Sequence, residues 1–281
     1  MVKRIFSTVL LWSVVLGAFW LSGEHAPVVA IAVITLLTAL TLHEFYGLMA
    51  AMGARPFRGM GIFIGALMMC APFLIAHYTD ETEVSGIPVI LLVASLIISC
   101  FRVLGERDTA TRVESIASTV GALLYIPFML QFLVGILMRD GSGNNLVLCL
   151  WFVAVSKFCD VGALLTGLAF GKHKMCPTIS PKKTWEGAVG GVLISAGIGA
   201  SIAYFFPNQL PDRLTPLLAA LIALPIAITT IVSDLIESAI KRRANTKDTG
   251  ALIPGIGGAF DLTDSLILTA PLAYFMFQFL D

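Results

Sequence analysis

Apolar runs close to twenty residues long recur throughout this 281-residue chain, separated by short polar breaks. A helical run of about 20 apolar residues matches the hydrocarbon thickness of a bilayer, which leaves such a chain few architectures. Only 13% of the residues are charged, roughly half the share usual in soluble domains, so the runs cannot all be covered by a polar surface. The mean hydropathy of +0.90 agrees. A transmembrane barrel would instead alternate polar and apolar residues in short segments. The expected fold class is therefore an all-α, polytopic integral membrane protein.

The runs predict nine spans, approximately Ile5 to Leu21, Val28 to Ala50, Gly61 to His77, Ile87 to Phe101, Val120 to Met138, Leu146 to Phe170, Gly187 to Phe206, Leu214 to Ile231 and Leu262 to Leu280. Lys3 and Arg4 ahead of the first run resemble a signal peptide, but no convincing cleavage site follows, and a retained first helix is expected. No fixed-period repeat or low-complexity linker marks off a soluble domain. The five cysteines are scattered singly, which supports neither a disulfide framework nor a zinc site.

With nine spans, fifteen of the 18 Lys and Arg residues fall in loops on one side, Arg139 and Arg213 on the other, and Lys157 inside a span. Basic residues are retained on the cytoplasmic side, so the N-terminus is expected there and the C-terminus outside. The long polar segments Gly171 to Glu186 and Ser233 to Asp261 then both face the cytoplasm, where nucleotides are found.

Ser233 to Ser265 holds the densest charge. Asp261 and Asp264 are three residues apart at the start of the ninth span, so their carboxylates share one face of its first turn. One of them fits a helix cap; a second, deeper carboxylate needs a counter-charge. Asp234, near the end of the eighth span, is placed to join them, and oxygen ligands of this kind select Mg²⁺ or a similar hard cation. Alternatively, Asp234 and Glu237 pair with Lys241 and Arg242 along their own helix. Between the spans, Lys241, Arg242, Arg243 and Lys247 accompany Gly250, Gly255, Gly257 and Gly258, a combination of cations and permissive backbone that suits a phosphate.

The other polar segment carries Ser180, Lys182, Lys183 and Thr184 ahead of Glu186 and a small-residue helix. Ser or Thr before Glu signals a helix start, whose exposed N–H groups favour phosphate. Inside the sixth span, Lys157 and Asp160 are either a mutually neutralising pair or functional groups. Gly162, Gly167 and Gly171 after them would let another helix approach closely.

The pattern Ser238-x-Ile240-Lys241-Arg242, Lys247-Asp248-x-Gly250, Ile253-Pro254, Gly257-Gly258-x-x-Asp261-x-x-Asp264 closely resembles the signature of the phosphatidate cytidylyltransferases, or CDP-diacylglycerol synthases. Asp160-x-x-Ala163-x-x-x-Gly167-x-x-x-Gly171 and Ser180-Pro181-Lys182-Lys183-Thr184-x-Glu186-Gly187 also resemble that family, as does the short His43-Glu44-Phe45-Tyr46 segment. The chain departs from the motif at Ile256 and Leu262, where the family has His and Arg, and at Leu164, where it has Tyr.

The resemblance implies transfer of the cytidylyl group of CTP to phosphatidate, giving CDP-diacylglycerol and pyrophosphate. On that reading Asp234, Asp261, Asp264 and Lys241 are the catalytic set, and Asp160, Asp234, Asp261 and Asp264 hold Mg²⁺, with K⁺ as a second cation. Ser180, Lys182, Lys183, Arg242, Lys247, Asp248, Gly257 and Gly258 bind substrate. Residues 1–145 form a scaffold giving lipid access, and residues 146–281 form the catalytic part. The expected setting is a bacterial inner membrane with the site facing the cytoplasm. A homodimer is expected, and no nucleic acid is expected among its partners. The alternatives are a cation-coupled transporter, with Lys157, Asp160, Asp234 and Asp264 as a relay, and a degraded relative that only binds lipid.

Overall fold

The computed structural model describes residues 17, 21–79, 84–105, 112–139, 145–246, 249–250 and 257–280. Most of the first expected span lies outside them, as do Lys247, Asp248, Ile253, Pro254, Gly255 and Ile256. The chain divides into two compact units, Met1–Asn144 with Arg243–Thr263, and Asn145–Arg242 with Asp264–Asp281.

The first unit contains α1 (Ala26–Ala51), α2 (Arg58–Thr79), α3 (Ile87–Leu104), α4 (Arg112–Tyr125) and α5 (Pro127–Leu137). Helices α1, α3 and α5 each carry a proline in their first two positions, where the missing N–H has no intrahelical partner to lose. Pro127 also divides the expected fifth span into α4 and α5, since proline cannot continue the preceding hydrogen-bond ladder.

Close contacts hold α1 against α2. A Cβ on Gly61 would overlap the Tyr46 ring, and one on Gly65 would overlap Leu42. The buried Tyr46 hydroxyl donates to the Thr119 carbonyl at 3.3 Å, and the Thr119 hydroxyl accepts from the Phe57 amide at 2.9 Å. Backbone polar groups of the α1–α2 turn are thus satisfied by α4.

The second unit contains α6 (Leu146–Phe170), strands β1 (Lys174–Cys176) and β2 (Ser180–Thr184), α7 (Trp185–Phe205) and most of α8 (Pro216–Arg243). Helix α9 (Ala259–Ile267) begins in the first unit and ends in the second, followed by α10 (Thr269–Phe277). The expected polar loop around Lys182 is an antiparallel hairpin, with Lys174 opposite Thr184 and Cys176 opposite Ser180. The expected ninth span is broken between α9 and α10, at Leu268.

Helices α6 and α7 pack through glycines. A Cβ on Gly191 would meet the Cys159 carbonyl oxygen at 2.7 Å, and one on Gly187 the Ala163 carbonyl oxygen at 2.7 Å. Gly162 faces the Gly191 backbone in return. Such small-residue seams bring helix backbones together where no hydrophobic effect drives association. Buried polar groups then pair across the seam: Trp151 Nε1 donates to the Gly199 carbonyl at 2.9 Å, and the Ser195 hydroxyl to the Val155 carbonyl at 2.8 Å.

Seven helical stretches among the described residues are long and apolar enough to cross a membrane: Gly23–Ala51, Arg58–Thr79, Ile87–Leu104, Val113–Leu137, Leu146–Phe170, Trp185–Phe205 and Pro216–Arg243. The protein is an all-α polytopic membrane protein.

Because the Gly191 seam involves backbone that cannot rotate away, Gly191→Ala is expected to destabilise the protein by about 1–3 kcal/mol. Thermal unfolding in detergent checks this. An unchanged midpoint would show that α6 and α7 do not depend on the contact.

Candidate active site

Helix α8 is 28 residues long, about 42 Å at 1.5 Å per residue, whereas the hydrocarbon core is roughly 30 Å thick. Its polar end carries Asp234, Glu237, Lys241 and Arg242. Asp234 and Glu237 lie three residues apart on one face. Asp264 of α9 meets them, and one carboxylate oxygen from each of the three lies within 4.8 Å of the others. The link between the helices is direct: the buried Ser233 hydroxyl donates to the Asp264 carbonyl.

Three anionic oxygens at this separation repel one another, the more strongly because Asp264 and Glu237 are buried. Protein cations answer each. Lys183 of β2 pairs with Asp234, Lys241 pairs with Glu237 at 2.6 Å, and Lys157 of α6 reaches Asp264 at 3.5 Å. The pairing expected between Glu237 and Lys241 is present, yet the same carboxylate belongs to the cluster.

Asp160 lies within electrostatic range of Lys157, Lys183, Asp234 and Asp264. Among the described residues, four carboxylates therefore share three ammonium groups. An all-oxygen donor set with excess negative charge fits a hard divalent cation.

The hairpin positions the basic residues. Lys183 also donates to the Ile231 carbonyl at 3.5 Å, and the Arg242 guanidinium to the Ile179 carbonyl at 3.4 Å, tying the hairpin to α8. Lys182 is exposed and Ser180 half-buried. The start of α7, expected to offer N–H groups to a phosphate, uses two of them internally. Trp185 donates to the His173 carbonyl at 3.0 Å, and Gly187 to the Thr184 hydroxyl at 3.2 Å. Glu186 turns back to accept from the Lys172 and His173 amides and meets the His173 ring at 2.5 Å.

Asp261 belongs to a separate network in the first unit. Its Oδ2 accepts from the Gly258 amide at 2.7 Å and from the Thr249 hydroxyl at 3.0 Å. Gly258 precedes the first residue of α9, so Asp261 reaches back like the acidic partner of a capping box. The capping role considered for one aspartate therefore falls to Asp261. Gly257 has φ +129°, and a Cβ there would strike the Asp261 carboxylate. Gly258 uses its N–H on Asp261, so it is not a free phosphate donor.

Three residues of these networks do not stand out in the sequence as site residues. By spacing Glu237 falls to its ion pair with Lys241 and Lys157 to Asp160, and the structure adds Asp264 as a neighbour of each. Glu44 of α1 appeared only within a four-residue segment, yet it accepts from the Ala259 and Phe260 amides, both at 2.9 Å. Its signal was a lone carboxylate near the end of an apolar span.

The fold and the cluster together define an α-helical integral membrane protein with a group of carboxylates that could hold a cation. Comparison with known proteins narrows the class: residues 2–280 match the cytidylyltransferase family, and the chain belongs to it. A phosphatidate cytidylyltransferase of Synechocystis is 30% identical, with 97% of this chain and 95% of the relative covered. Those of Rickettsia felis and Mycobacterium bovis are 38% and 35% identical, covering 58% and 63% of this chain and 71% and 55% of the relatives.

Lys157→Met would leave the buried Asp264 facing Asp234 without its ammonium partner. A loss of about 3 kcal/mol is expected from breaking such a pair. Adding Asp264→Asn should restore much of it, giving a measurable coupling in a double-mutant cycle. Strictly additive melting shifts would show that the pair does not stabilise the fold.

Proposed function

We propose that this protein transfers the cytidylyl group of CTP to phosphatidate, forming CDP-diacylglycerol and releasing pyrophosphate. The observation that carries this reading is the convergence of Asp234, Glu237 and Asp264 beside Lys183 and Lys241 in a chain of this family. A phosphate oxygen of phosphatidate attacks the α-phosphorus of CTP. The new P–O bond forms as the bond from the α-phosphorus to its bridging oxygen breaks, and that oxygen leaves with pyrophosphate. No protein nucleophile is required, so the protein's work is alignment of the reactants and neutralisation of charge.

In this proposal Asp234, Glu237 and Asp264 hold Mg²⁺, with Asp160 as a further ligand or orienting group and K⁺ as a second cation. Asp261 is not among the clustered carboxylates and caps the start of α9, and its part in the reaction is proposed from its place one turn before Asp264. A bound Mg²⁺ would supply neutralisation of the phosphate charge. Lys182, Lys183, Lys241, Arg242 and Lys247 bind the triphosphate and the phosphatidate head, with Ser180 and Asp248 completing the substrate contacts. Gly257 and Gly258 shape the turn at the start of α9.

The finer setting is also proposed: nine spans, N-terminus and site on the cytoplasmic side of a bacterial inner membrane, and a homodimer. Residues 1–145 act as the lipid-access scaffold, and residues 146–281 as the catalytic part.

Purified protein in phosphatidate-containing liposomes, given labelled CTP and Mg²⁺, is expected to move label into the lipid phase. Asp264→Asn and Asp234→Asn should each lower turnover by about a hundredfold or more, as expected when charge-stabilising groups are removed. Wild-type protein that incorporates no label beside an active control would defeat the reading.

A further inference from the structure

Glu44 lies in the part of α1 that presents Thr41, Glu44 and Phe45 on one face, and every one of these residues grips the start of α9. The Thr41 and Thr263 hydroxyls meet at 3.0 Å. The Phe45 and Phe260 rings pack edge to face, with centroids 5.4 Å apart. Between these contacts, the two oxygens of Glu44 accept from the Ala259 and Phe260 amides. Those are the first two residues of α9, whose N–H groups have no partner inside the helix.

The Thr249 hydroxyl lies 3.1 Å from the same carboxylate and 3.0 Å from Asp261, its one proton shared between the two acceptors. Gly250 and Gly258 lie so close that a Cβ on either would collide with the Glu44 carboxylate. Glu44 therefore touches both Gly250 and Gly258, and the Asp261 carboxylate meets the same hydroxyl and the Gly258 amide.

We infer that Glu44 is a positioning residue for the reaction: it caps α9 from another helix and thereby fixes the orientation of Asp261. The inference rests on the proposed cytidylyl transfer for its catalytic consequence, but not for its geometry. A side-chain carboxylate is suited to the place because it satisfies two helix donors and adds negative charge at the positive end of the helix dipole. Glutamine would keep the volume but offer one oxygen and an amino group that cannot accept. Alanine would leave both amides unpaired.

The test measures amide exchange and kinetics on the full chain in lipid nanodiscs, for wild type, Glu44→Ala and Glu44→Gln. In Glu44→Ala, exchange at Ala259 and Phe260 is expected to accelerate about tenfold, the order of losing one helix cap, with exchange in α5 unchanged. The kcat should fall about 10- to 100-fold while KM for CTP stays within about twofold, as for a misplaced reacting group. Glu44→Gln should recover part of both.

Unchanged exchange at Ala259 and Phe260 would overturn the inference, as would faster exchange there with unaltered kcat. Acceleration spread through α1–α5 in both variants would reduce Glu44 to a structural residue and likewise overturn it. If Glu44→Ala does not fold, Glu44→Gln alone decides by the same criteria. Wild-type protein without transferase activity would defeat the proposed function, while the exchange measurements would still decide the capping geometry.

Discussion

An ionised carboxylate in or near the hydrocarbon layer is tolerated only where something positive or hydrogen-bonding meets it, and Asp264 shows how this protein meets that demand. The side chain is buried, takes a 2.5 Å hydrogen bond from the Ser265 amide and faces Lys157. Once Asp264 is held in this way, Asp234 and Glu237 approach it only because Lys183 and Lys241 answer their charges as well. Each of these three carboxylates thus has a lysine partner, and Asp160 adds a fourth negative charge. The composition of the cluster is dictated by the cost of leaving any one unpaired, and its residual negative charge fits a cation.

The supporting helices matter because this balance requires short distances. Lys157 and Asp160 are one turn apart on α6, which is drawn against α7 by the Gly162, Gly187 and Gly191 seam. Helix α7 begins where β2 ends, so the seam also fixes the root of the hairpin that delivers Lys183. A larger residue in the seam acts on the site through backbone separation rather than through lost polar contacts. Cys159, Ala227 and Ile231 form a small core beside the cluster, with Met175 of β1 and Leu235 of α8 packed against it. Apolar packing and ion pairing therefore hold the same elements.

The apolar runs made the membrane-spanning helices legible, because run length maps directly onto bilayer thickness. Breaks within runs were less visible: Pro127 divides α4 from α5, and the interruption at Leu268 has no strong local signal. Asp160, Asp234, Asp261 and Asp264 stand out in the sequence as candidate cation ligands because charged residues are rare in such a chain, and the structure brings Asp234 and Asp264 together while Asp261 caps α9. Glu237 was obscured by Lys241 four residues on, an arrangement that has an ordinary helical explanation and is present as such. The partners of Lys157 and Glu44 lie 107 and more than 200 residues away in sequence, a tertiary relation that spacing along the chain does not encode.

Glycine in the signature stretch takes a different meaning once its neighbours are considered. Beside Lys241, Arg242 and Lys247, Gly250, Gly257 and Gly258 suggest backbone opened for an incoming phosphate. The anions that demand the missing side chains are the protein's own. Glu44 fills the space next to Gly250 and Gly258, and Asp261 that next to Gly257. A substituted glycine here would displace a carboxylate before any ligand arrived. The glycines therefore make room for Glu44 and Asp261 at the start of α9.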